Sequence, residues 1–133
     1  MKHAQWLLAL AILLGDLPLW TNSAAAQKEV NDLMKKKLEQ SQKILEGIAL
    51  SDFDKISAGA GELIQVSKAA EWRVLKTPQY EVHGNEFRKA AEAIIQNAKA
   101  KNLDGATLAY VDLTLTCVKC HKHVREVRMA RND

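Results

Sequence analysis

Apolar residues recur at three- and four-residue spacing in blocks along most of the chain, which is the mark of helices with one buried stripe. In the first block Val30, Leu33, Met34, Leu38, Ser41, Leu45 and Ile48 form such a stripe. Lys35, Lys36, Lys37, Glu39 and Lys43 fall mostly on the other side, so a helix is expected over about 28–48. Ser51 followed by Asp54 reads as an N-cap with an acidic partner. It starts a second helix over about 52–75, with Phe53, Ile56, Leu63, Val66, Ala70 and Val74 inward. Gly59 and Gly61 are weak helix formers and point to close helix packing or a local irregularity. Thr77-Pro78 ends this helix, because Pro disfavours helical geometry in the residue before it. Asn85, after His83 and Gly84, caps a third helix over about 86–101, with Phe87, Ala91, Ile94, Ile95 and Ala98 inward. Asn102 to Gly105 is a tight turn in which Asp104 caps a fourth helix over about 105–129. Four helices with short connections predict an all-α, antiparallel up-down-up-down four-helix bundle.

The N-terminus stands apart from this pattern. Met1-Lys2-His3 is a short basic start, Trp6 to Leu14 an apolar run, and Ser23-Ala24-Ala25-Ala26 a small-residue stretch. This is the layout of a secretory signal peptide cleaved after Ala26, and it predicts an exported, periplasmic protein. Residues 1–26 are then the leader and 27–133 the folded domain. The apolar run is shorter than the roughly 20 residues that span a bilayer, and Asp16 and Pro18 interrupt it. No stable membrane insertion is expected once the leader is removed.

Composition adds limits. The chain has 133 residues, 47% hydrophobic and 26% charged, which suits one globular domain. A net charge of +3 is too small and too dispersed for a nucleic-acid binder. Two cysteines cannot build a disulfide scaffold. With few aromatic residues, a bundle of this size has room for a cofactor in its core.

Chemistry concentrates in Cys117-Val118-Lys119-Cys120-His121. C-x-x-C-H is the attachment signature of c-type haem. Positions three apart share a helix face, so both thiols can reach the vinyl groups on one edge of the macrocycle. His121 follows at once and can serve as the proximal iron ligand. Other readings of the pair are a thioredoxin-like redox motif, which belongs to an α/β fold, and half of a zinc site with His121 and His123. A plain disulfide is the third. Tyr110, Leu113, Cys117, Cys120, His121 and Val124 lie on one stripe of the fourth helix, and Leu108, Val111, Leu115 and Val118 on an adjacent one. The helix is thus expected to present the haem residues next to the bundle interior.

A single C-x-x-C-H near the C-terminus of a four-helix chain, with Arg125 four residues after His121, resembles the class II c-type cytochromes, the cytochrome c′ family. The resemblance implies one covalent haem c held by Cys117, Cys120 and His121, with Arg125 close to the proximal His. Val124 stands where the family usually has an aromatic residue. Family members place their distal residue about two turns into the first helix, where Met34 stands here. Met34 is therefore a candidate sixth iron ligand, since a His/Met pair gives low-spin iron of raised potential. Met129 is on the same helix as His121 and cannot easily reach the other haem face. Leu33 covering a vacant site and His83 as ligand are the alternatives.

In this topology the end of the fourth helix lies beside the start of the first. Leu33, Met34, Trp72, Tyr80, His83 and Phe87 are then the expected haem neighbourhood. The leading functional reading is a periplasmic electron carrier that meets a redox partner protein. A five-coordinate haem protein binding a small gas ligand such as NO or CO comes next. A small haem enzyme ranks below, because no acid–base constellation stands out. Family members are often homodimers through the first two helices, which makes a second copy a candidate partner.

Overall fold

The computed structural model describes residues 21–69, 72 and 74–131. Most of the expected leader lies outside these residues, as does Ala70. The described residues form helices α1 (Thr21–Leu50), α2 (Phe53–Val66), α3 (Pro78–Lys99) and α4 (Leu103–Met129). Each packs beside the next in an up-down bundle, and α1 meets α4 only locally. Among the described residues no helix is long and apolar enough to cross a membrane.

Two of the connections use the same device. α1 closes on Ser51, whose φ of 55° is left-handed, and α3 closes on Lys101 at φ 54°. The next amide then reaches five residues back, Asp52 N–H to the Gly47 carbonyl at 2.8 Å and Asn102 N–H to the Asn97 carbonyl at 2.9 Å. These bonds satisfy carbonyls that the helix end leaves open. The residue after each turn caps the following helix: Asp52 accepts from the Lys55 amide and Asn102 from the Gly105 amide. The caps are thus Asp52 and Asn102 in place of the expected Ser51 and Asp104. Ser51 cannot cap because a cap needs extended backbone, and its own is spent closing α1.

The α2–α3 connection departs further from expectation. α2 stops at Val66, where the Ser67 hydroxyl bonds back to the Ile64 carbonyl at 2.7 Å. Thr77-Pro78 opens α3 instead of merely ending α2: Thr77 accepts from the Tyr80 amide and Pro78 occupies the first turn. Pro fits there because its missing N–H has no helical partner in any case. His83, Gly84 and Asn85 lie inside α3. Gly84 is buried beside the Trp72 indole nitrogen, which a Cβ there would meet at an ordinary contact distance of 3.5 Å.

The core centres on Ile44, Ile56, Ala60, Leu63, Trp72, Phe87, Ala91, Ile94 and Leu113. On α1 it is rotated from the expected stripe. Gln40, Ile44 and Gly47 face inward, while Leu38 and Leu45 are exposed. Small residues set this rotation, since a Cβ on Gly47 would meet Ile56 Cγ1 at 2.8 Å. Gly59 answers from α2, its Cβ position 2.9 Å from Ile44 Cγ1 and 3.1 Å from the Gln40 carbonyl. Gly61 faces open space. Gly59→Ala is therefore expected to cost about 1–3 kcal/mol by forcing α1 and α2 apart. Gly61→Ala is expected to add up to about 1 kcal/mol through helix propensity alone. Urea denaturation of the two variants measures both, and the opposite order would contradict this packing.

Candidate functional site

α1 and α4 diverge enough to leave a cleft between them. One cavity of about 290 Å³ is lined by residues that include Met34, Leu63, Phe87, Leu113, Cys117 and His121. A second, of about 220 Å³, is lined among others by Trp72, Tyr80, Cys120, His121, Val124 and Arg125. Met34, Lys37 and His121 border both. The two lobes adjoin at these three residues, and together they are of the size class that takes cofactor-sized ligands. Beside the first lobe the Ser41 and Tyr110 hydroxyls tie α1 to α4 at 3.1 Å.

The sequence places the chemistry on this space by spacing alone. Cys117 and Cys120, one helical turn apart, both face the cleft as free, partly buried thiols. Burial pushes both thiols up in pKa, partly offset by the nearby Lys37 ammonium. His121 is exposed yet borders both lobes. Its pKa is lowered, first by partial burial and then by the Lys37 and Arg125 charges. That direction favours the neutral imidazole, the form that binds metal. Met34 and Arg125 also line the cleft, Met34 from α1 and Arg125 from the α4 wall. Cys117, Cys120, His121, Met34 and Arg125 thus border the same cleft.

The expected surroundings are met in part. Met34, Trp72, Tyr80 and Phe87 line the cleft. The Trp72 and Phe87 rings pack at 5.0 Å between centroids, tilted by 47°. The Tyr80 hydroxyl donates to the Trp72 carbonyl, and burial pushes its pKa up to about 12. Leu33 packs on the core and borders a shallow depression with Glu29, Asp32 and Lys36. His83 lies outside the cleft. Its ring nitrogens face Glu86 and Gln79, both at 3.2 Å, and its ring stands 5.8 Å from that of His123. His123 in turn bonds the Thr77 hydroxyl at 2.9 Å. This polar cluster ties α3 to α4 and occupies both histidines.

Lys37 is the residue that sequence reading missed. It was expected on the solvent face with Lys35 and Lys36, yet its ammonium reaches into the cleft. Nζ stands 4.0 Å from the Trp72 ring centroid, 5.4 Å from that of Phe87 and 3.7 Å from Met34 Sδ. Burial lowers its pKa. Attraction to the aromatic faces offsets part of that desolvation. The signal was available: Lys37 lies one turn from both Met34 and Ser41, on the same side of α1.

The donor set can be weighed chemically. Among the described residues no group of three or more His, Cys, Asp or Glu side chains is placed to hold a metal ion. The half-zinc reading therefore finds no remaining ligands among the described residues. The thioredoxin-like reading lacks its sheet, since the described elements are all helices. A slot with apolar side chains around Leu63, Phe87 and Leu113, and with two adjacent thiols and an imidazole on one wall, is the donor set that would suit a flat macrocycle attached along its edge. Comparison with protein-family models, curated proteins and solved structures finds no match.

Proposed function

We propose that the chain is an exported c-type cytochrome that carries electrons on one covalent haem. The observation that supports this best is the meeting of Cys117, Cys120 and His121 at one cleft between α1 and α4. Cys117 and Cys120 would hold the haem as thioethers, and His121 would bind its iron. A haem held there supplies a reversible one-electron couple whose potential depends on the axial ligands and the dryness of the pocket.

The chain's own residues do the rest. Leu63, Phe87 and Leu113 exclude water from one lobe. Trp72, Val74 and Tyr80 wall the other. Partial burial, then the Lys37 charge and then that of Arg125, favour the neutral imidazole at His121, and the two positive charges would also favour the reduced, less positive state of the site. Met34 offers a thioether from the opposite helix. Export follows from the leader pattern and gives the thiols access to an extracytoplasmic attachment system.

Optical spectra of the ferric and ferrous protein, with and without carbon monoxide, test this reading. The expected result is a low-spin spectrum with the weak far-red band of thioether-bound ferric haem, little reaction with carbon monoxide, and loss of that band in Met34→Ala. High-spin spectra with ready carbon monoxide binding would overturn the Met34 ligand and move the function to gas binding.

A further inference from the structure

The outward face of α4 is apolar and, among the described residues, uncovered. Leu108, Val111, Leu115 and Val118 are 72%, 51%, 51% and 58% exposed. The opposite face of the same helix buries Ala106, Leu113 and Thr116 in the bundle. A single exposed Leu needs no explanation, but a row of large apolar side chains marks an interaction surface. The four recur at the alternating three- and four-residue spacing of a coiled-coil seam. One step beyond each end of the row, the same spacing reaches Asp104 and Lys122, both exposed. Lys122 lies 3.9 Å from Glu126, an exposed pair that leaves it free to turn. From N- to C-terminus the seam reads acid, Leu, Val, Leu, Val, base.

We propose that this face is a two-fold interface in which α4 packs antiparallel against α4 of a second copy. The order of side chains selects that occupant. With the axis at the level of Leu113, Leu108 meets Val118 of the second copy and Val111 meets Leu115. The two-fold axis repeats both layers. Every apolar layer then joins a Leu to a Val, and Asp104 meets Lys122 at each end. A parallel pair would instead set Asp104 on Asp104 and Lys122 on Lys122. Cys117 and Cys120 face the α1–α4 cleft, so this pairing leaves the cleft open. The interface differs from one through the first two helices, and it needs no bound group, so it stands or falls apart from the haem reading.

Sedimentation equilibrium on the full chain tests it, with far-UV circular dichroism as the check on folding. The wild-type chain is expected to be a reversible dimer and Leu115→Glu a folded monomer. Asp104→Lys alone and Lys122→Asp alone should each weaken association by roughly tenfold or more, because each places like charges at both ends. The Asp104→Lys, Lys122→Asp double variant should regain wild-type association, and so should an equimolar mixture of the two single variants. A wild-type chain that stays monomeric to its highest soluble concentration would overturn the interface. So would a dimer indifferent to the charge reversals, or single-variant losses that neither the double variant nor the mixture restores.

Discussion

The Cys117→Ser, Cys120→Ser double variant is expected to be colourless. Haem staining of a denaturing gel, strong for the wild-type chain from a host competent in haem attachment, is expected to vanish. Each single variant should keep one thioether and a weaker band. Stability falls with the colour, because Leu63, Phe87, Leu113 and Trp72 line a cleft that would then admit water. In a bundle of about a hundred residues each kcal/mol moves the melting midpoint by about 4–8 °C. A loss of about 10 °C or more is therefore expected in the double variant. Colour that survives both substitutions under denaturing conditions would contradict covalent attachment at these thiols.

Ile94→Ala produces the largest loss of stability expected from any single truncation considered. Ile94 is fully buried on α3 and belongs to the central core cluster. Removing its branched end takes away buried area and leaves a cavity that rigid neighbours fill poorly, a change that costs about 2–5 kcal/mol. Val82→Ala on the exposed side of the same helix should stay within about 0.5 kcal/mol. Urea titrations of both variants decide it. An Ile94→Ala loss under about 1 kcal/mol would mean that α3 does not pack as described.

The helices and their order were legible because each carries a long apolar period, and the cleft-lining Cys117, Cys120 and His121 because their spacing is short and specific. Phe87, Ala91, Ile94 and Ala98 were read as inward and are buried or nearly so. What was not legible depends on neighbours rather than on period. The face α1 buries is set by Gly47 and Gly59, whose missing side chains admit Ile56 and Ile44. Thr77-Pro78 was legible as a break, but that it starts α3 rests on the Thr77 cap to the Tyr80 amide, which the spacing does not reveal. Lys37 was placed with water-facing lysines because charge outweighs position in a hydropathy pattern. Its long stem lets the ammonium reach aromatic faces from a position on the inner side. The second stripe of α4 was expected beside the interior, and the structure turns it to solvent, since the bundle buries only one side of that helix.

Intact-mass analysis of the denatured, reduced protein is the most direct measurement of whether Cys117 and Cys120 hold haem. Covalent attachment predicts the mass of the chain beginning at Gln27 plus one haem, with the increment carried by the proteolytic peptide that contains Cys117 to His121. A mass equal to the polypeptide alone, with both thiols free to alkylate in protein from a host competent in haem attachment, would contradict it.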